Sequence, residues 1–204
     1  MFSSERIENR FLKQMNSKLL SYINRYIHLT EQEHEHFQSN LKKIALKKGD
    51  YLLKANQTCK ARYFVLNGCL RLYYITNKGN EQIIHFGLDN WWITEYDSLI
   101  NNTPSNIYIQ AIEDSEILVL DQVSFAKLTL EIPKINTFFR IIMEKTFIAS
   151  QRRIEYMLSY SGEERYHKFV TQNPGFIQKV PQYMIASYLG MSPEFYSKIR
   201  SNSK

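Results

Sequence analysis

The sequence predicts an α+β chain: a set of short strands flanked by helices, then one long helix, then a helix-turn-helix near the C-terminal end. Three observations carry this. Short β-type runs punctuated by turn residues recur between Leu41 and Asp121. From Pro133 to about Tyr160 the apolar residues change to helical spacing. From Val180 to Arg200 two short helical patterns flank Gly190.

Taken in order, residues Glu5 to Ile27 read as a helix, with Phe11, Met15, Leu19, Leu20, Ile23 and Ile27 recurring at three and four. Thr30 with Glu33 forms a capping box before a second short helix reaching about Phe37. His34 and His36 are two apart on that helix, so they point to different faces and do not share a metal.

The strands follow. Ile44 to Leu46, Tyr51 to Lys54, Tyr63 to Leu66, Cys69 to Thr76, Glu81 to Phe86, Ser105 to Ala111 and Glu116 to Leu120 each have β-type composition. Asn67-Gly68 is a strong hairpin signal, and Asn77-Lys78-Gly79-Asn80 is a further turn. Regular spacing of this kind predicts a sandwich, barrel or jelly roll.

Pro133 opens the long helix. Ile135, Phe139, Ile142, Thr146, Ala149, Arg153 and Tyr156 repeat at 4-3-4-3-4-3, which is a heptad seam and predicts a homodimer contact. A second stripe of Phe138, Ile141 and Ile148 would pack on the β domain. Periodicity alone fits burial within one chain equally well. Ser161-Gly162 breaks this helix, Glu163 to Gln172 forms the next, and Asn173-Pro174-Gly175 ends it. Phe176 to Val180 reads as a strand leading into the last motif.

That motif is the most informative stretch. Pro181 suits a first helical turn, and Ile185, Ala186 and Leu189 share a face. Gly190 stops the helix as a residue free to take positive φ. Ser192 caps the next helix, with Pro193 at its first position and Glu194 near its positive end. Met191, Tyr196 and Ile199 give that helix an inward face. In such a motif the second helix enters the DNA major groove. Glu194, Ser197 and Lys198 are then placed to reach bases, while Gln182, Tyr183, Arg200 and the capped start at Ser192-Pro193 meet the backbone. The charge agrees. Residues 134–204 hold 11 Lys/Arg and 5 Asp/Glu, so 11 − 5 = +6, which is the whole net charge of the 204-residue chain.

Other classes find little support. Cys59 and Cys69 are too few for a four-cysteine zinc or iron–sulfur site, and a reducing, cytoplasmic setting is the expectation. No 18-residue apolar run or signal-peptide core appears, so neither membrane span nor export is expected. His85 stands alone on its strand, short of the three histidines and glutamate of a metal-bearing β barrel. No nucleophile constellation or phosphate-cradling glycine loop appears. No catalytic residue, metal or cofactor is assigned.

The order of elements, with Ser161-Gly162-Glu163-Glu164-Arg165-Tyr166 and Phe169, Val180-Pro181, and Ile185-Ala186-Ser187-Tyr188-Leu189-Gly190, resembles the Crp/Fnr family of bacterial transcription regulators over nearly the whole chain. The resemblance implies a cyclic-nucleotide-binding-like β-roll, a jelly-roll-like double-stranded β-helix, over 1–132. It implies a dimerisation helix over 133–160 and a winged-helix-like DNA-binding unit over 161–204. The family's Arg-Glu-Thr-x-x-Arg recognition segment reads Pro193 to Lys198 here, keeping Glu194 and replacing the second arginine by Lys198. Its phosphate cassette reads Thr94-Glu95-Tyr96 and Ser105-Asn106-Ile107, with Ser105 where an arginine would neutralise a cyclic phosphate. The resemblance therefore implies an effector other than cyclic AMP, or none, with Trp92, Glu95, Ser105 and Asn106 as the candidate pocket. Double-stranded DNA, a second copy of the chain and RNA polymerase are the implied partners. The alternative is a β-roll that binds a small molecule and no DNA.

Overall fold

The computed structural model describes residues 18–202. Most of the helix expected over Glu5 to Ile27 lies outside them. Within them, α1 (18–23) is helical and the chain then turns over 24–26. Eight strands and eight further helices follow: α2 (Glu31–Ser39), β1 (Lys42–Leu46), β2 (Tyr51–Leu53), β3 (Ala61–Asn67), β4 (Leu70–Ile75), β5 (Glu81–Gly87), β6 (Trp92–Ile93), α3 (Tyr96–Asn101), β7 (Ile107–Ala111), β8 (Ser115–Asp121), α4 (Gln122–Glu131), α5 (Lys134–Ser159), α6 (Gly162–Gln172), α7 (Pro174–Lys179), α8 (Gln182–Tyr188) and α9 (Pro193–Asn202).

The strands form two antiparallel four-stranded sheets, ordered β1-β8-β3-β6 and β2-β7-β4-β5. Three apolar layers result. Between the sheets lie Leu53, Val65, Leu70, Leu72, Ile93, Ile109 and Ile117. The outer face of the first sheet, through Phe64, Leu66, Leu118 and Leu120, packs on α1, α2, α4 and the start of α5. The outer face of the second, through Cys69, Tyr73, Ile83 and Phe86, packs on α6 to α9.

Capping chemistry sets many of the boundaries. Thr30 and Glu33 form the expected box at α2, and Ser161 and Glu164 form another at α6 that the sequence reading had seen only as a break. Asp121 caps α4 by accepting from Ser124 N–H at 2.9 Å.

Two expectations are corrected. Asn67-Gly68 does not close a hairpin: β3 pairs with β8 and β6, whereas β4 pairs with β5 and β7. The dipeptide is a corner where the chain leaves one sheet for the other. Gly68 sits at φ +110, and a Cβ there would lie 2.8 Å from Ser115 Cα, so close backbone approach is what the glycine serves. Both edges of β3 are already paired, which leaves β4 no place beside it. The second correction concerns Phe176 to Val180, which is not a strand. Pro174 starts α7, whose helical turn puts Phe176 against Phe86 and Phe169, and Lys179 Nζ 2.6 Å from an Asp89 carboxylate oxygen. Among the described residues no strand follows β8, so the C-terminal unit is all-helical and the wing strand is absent from 176–180.

Candidate nucleic-acid interface and effector cavity

Helices α8 and α9 build the motif as its residues dictate. Met184, Ile185, Ala186, Leu189, Tyr196 and Ile199 are buried together with Tyr166 of α6. Gly190 takes φ +68 between the helices, as the sharp reversal needs. Ser192 Oγ accepts from Phe195 N–H at 3.2 Å and so caps α9, which begins at Pro193. With the inward face fixed, Glu194, Ser197 and Lys198 share the opposite face and are exposed. The Glu194 carboxyl is held below the usual carboxylate range, first by a backbone N–H at the helix start and then by the Ser192 hydroxyl. It is therefore an anionic acceptor at neutral pH. Gln182 and Tyr183 are exposed at the start of α8, and Arg200 lies half-buried to one side of the α9 face.

The residues expected to form a seam on α5 do not share one exposed face. Ile135, Phe139 and Ile142 are buried in their own chain, in the layer that also holds Phe138 and Trp92. They have no surface to offer a partner. Thr146 is half-buried and its hydroxyl donates to the Ile142 carbonyl, Ala149 is exposed, and Arg153 turns inward. Of the second stripe, Phe138 is buried as expected, whereas Ile148 is 45% exposed. The exposed apolar residues of α5 are instead Met143, Phe147, Ile148, Ile154, Met157 and Leu158.

The helix-turn-helix is held on the β-roll by polar contacts that no motif or spacing signals. β5 is an edge strand, and its outward backbone groups are taken by side chains from the C-terminal half. Ser187 Oγ accepts from Ile83 N–H at 3.0 Å and donates to the Glu81 carbonyl at 2.8 Å. Gln82 Nε2 donates to the Ser187 carbonyl. Arg153 donates to the Ile84 carbonyl, to the Ile83 carbonyl at 3.1 Å and to the Tyr188 carbonyl at 2.8 Å, and its guanidinium lies 4.1 Å from the centre of the Tyr188 ring.

Comparison with known proteins shows what the chain is similar to. Residues 43–131 match the family model described as a cyclic nucleotide-binding domain. The chain is 24% identical to Electron transport regulator A of Shewanella oneidensis over 78% of its length and 67% of the relative's. It is 26% identical to the Fumarate and nitrate reduction regulatory protein of Yersinia pestis over 85% and 74%. The chain is thus similar to regulators of the Crp/Fnr type and carries a cyclic nucleotide-binding domain over 43–131. Its fold is that of solved Crp/Fnr-type structures. FixK2 from Bradyrhizobium japonicum superposes with a TM-score of 0.69 at 16% identity, over 79% of this chain and 83% of that one. A Crp/Fnr regulator from Eubacterium rectale gives 0.66 at 19%, over 85% and 83%.

Against that family's phosphate cassette, the Glu95 and Ser105 side chains here are already occupied. Glu95 caps α3, its two carboxylate oxygens accepting from Asp97 N–H at 3.1 Å and Ser98 N–H at 2.9 Å. Ser105 is buried, its Oγ accepting from Ile107 N–H at 3.0 Å, while Asn106 is exposed. The open volume lies elsewhere: a cavity of about 950 Å³ runs along α5 between the β-roll and the helix-turn-helix. Trp92 and Glu95 line it, but Ser105 and Asn106 do not, so the four candidate residues do not form one pocket. Trp91, His85, Arg153 and Tyr188 line it as well.

His85 yields a pH prediction. Its ring stacks near Trp91 with centroids 6.1 Å apart. Burial, and secondarily the Arg153 charge, lower its pKa to about 4. The unfolded histidine gains its proton near pH 6.5 and the folded one only near 4, so the unfolded state binds more protons in between. Stability from this group is therefore full above about 6.5 and is lost as pH falls towards 4. Part of the side chain opens on the cavity, so we expect a loss of about 2 kcal/mol, below the full value for that shift. Urea unfolding at pH 7.5 and 4.5 measures it, and His85→Gln should make the difference smaller by that amount.

Proposed function

We propose that the chain is a dimeric DNA-binding transcription regulator whose helix α9 reads an inverted-repeat operator, under an effector other than cyclic AMP. Residues 1–132 act as the sensor unit, 133–160 as the dimerising helix and 161–204 as the DNA-binding unit. The observation that carries this reading is the free face of α9. Glu194, Ser197 and Lys198 stand exposed on a capped helix whose other side is anchored by Tyr196 and Ile199, in the part of the chain that holds the whole net charge. Glu194 suits the amino group of cytosine, and Lys198 suits guanine as a single donor. Gln182, Tyr183, Arg200 and the amides behind Ser192 supply phosphate contacts, which set position without specifying sequence. Cyclic AMP is disfavoured because Ser105 brings no cation to a cyclic phosphate and already serves the backbone.

Operator selection followed by gel shift tests the assignment. Glu194→Ala should relax base choice at one position of each half-site, costing roughly 1–3 kcal/mol on the preferred sequence. Arg200→Ala should weaken all duplexes about equally and make the salt slope shallower by about one unit per subunit. An unchanged selected operator with Glu194→Ala would mean that α9 does not present this face to bases. A wild-type protein with no salt-dependent duplex binding would leave the ligand-binding module as the function.

A further inference from the structure

The guanidinium of Arg153 is half-buried, with its Nε fully covered, and has no counter-ion. Its Nη1 and Nη2 groups donate to three backbone carbonyls, its plane lies over the Tyr188 ring, and its Nε–H has no partner. Among the described residues no carboxylate lies within 4 Å of it. Arg71, buried on the second sheet, differs in this respect: it holds Glu81 and Gln110. Neutral carbonyls satisfy hydrogen-bonding needs but do not cancel a charge, and a partly desolvated cation gains from an anionic partner.

Arg153 is on the wall of the cavity, and so is Trp92, whose indole Nε1–H is buried and also lacks a partner. The remaining charges on the wall are Arg152, Arg165 and Glu95, and the Glu95 carboxylate is already bound to the start of α3. Aromatic rings make up much of the rest, including Trp91, Phe86, Phe169 and Tyr188. An apolar, aromatic wall with surplus cationic charge and unmet donors favours a particular guest.

We propose that this cavity binds a small organic monoanion with an apolar, aromatic body, its carboxylate neutralising Arg153. The ring system lies among the aromatic side chains, where stacked and edge-to-face contacts add to simple burial. The cavity shares Thr94, Glu95 and Tyr96 with the phosphate cassette but not Ser105 or Asn106. Arg153 also joins β5 to the end of α8, so the ligand touches the side chain that holds the DNA-binding unit on the β-roll. Occupancy and the placement of that unit are then linked, and the linkage is reciprocal. Binding itself does not rest on the regulator reading and is measured without DNA.

Calorimetry on the full chain at pH 7.5 with 2-naphthoate and its neutral counterpart 2-naphthamide is the test. We expect the acid to bind at least tenfold more tightly than the amide. Arg153→Gln should bring that ratio to about one. Ala149→Trp, which fills the cavity from an exposed position one turn before Arg153 on α5, should weaken the acid at least tenfold while the protein still melts cooperatively. Equal binding of acid and amide, no binding of either, or acid binding unaffected by Ala149→Trp would each overturn the proposal. So would an Ala149→Trp protein that turns monomeric when the wild type binds no acid, because the cavity would then belong to a partner's helix. A protein that binds naphthoate but no duplex would retain this site and lose the regulator reading, and the converse result would do the reverse.

Discussion

Phe147→Asp is expected to dissociate the dimer at micromolar concentration and to weaken operator binding by at least about a hundredfold, since one half-site then acts alone. Phe147 is 63% exposed, Ile154 60% and Leu158 83% in the single chain, an apolar stripe that a monomer would leave in water. Met143, Phe147, Ser150, Ile154 and Met157 repeat at 4-3-4-3, the spacing of a coiled-coil seam. This stripe is one residue out of phase with Ile142, Thr146, Ala149, Arg153 and Tyr156. One residue is a rotation of about 100° around the helix. A carboxylate at 147 would be buried without a partner in the dimer and solvated in the monomer, so the change acts on association and not on the fold. Sedimentation equilibrium and gel shift read the two effects. A variant that stays dimeric would place the subunit contact elsewhere.

Phe139→Ala should instead cost about 4 kcal/mol of folding stability, as expected for an aromatic removed from a closed core, and leave association intact in the protein that remains folded. Phe139 is 5% exposed. Its ring lies 4.8 Å from Trp92, 5.1 Å from Phe125 and 5.1 Å from Phe138, centroid to centroid. It thus ties α5 to β6 and α4, and Arg62 stacks 3.6 Å from the Phe125 ring at the same place. Urea unfolding gives the loss, and sedimentation at low temperature gives the association state. A loss below about 1 kcal/mol with dissociation would return Phe139 to the subunit seam and count against its burial in one chain.

The sequence by itself determined what local chain physics decides. Thr30 with Glu33 start α2 because a hydroxyl and a carboxylate satisfy free N–H groups within one turn. Gly190 takes positive φ, and Ser192-Pro193 start α9, for reasons contained in those residues. Glu194, Ser197 and Lys198 share a face because helical geometry fixes it once Tyr196 and Ile199 turn inward.

What only the tertiary structure decided is everything that depends on distant neighbours. Asn67-Gly68 specifies a bend, but whether a bend makes a hairpin depends on which strands already occupy β3, and those are β8 and β6. Pro174 and Phe176 became a helix because Phe86 on β5 and Phe169 on α6 offered Phe176 a seat. A helix with two apolar stripes does not say which one its own domain will cover; the rings of Trp92 and Phe125 took the side of Phe139 and left Phe147 in water. Arg153 had the spacing of a seam residue, yet the carbonyls of Ile83, Ile84 and Tyr188, far away in sequence, drew it inward. Spacing along a chain fixes which side chains travel together, and only packing fixes what they meet.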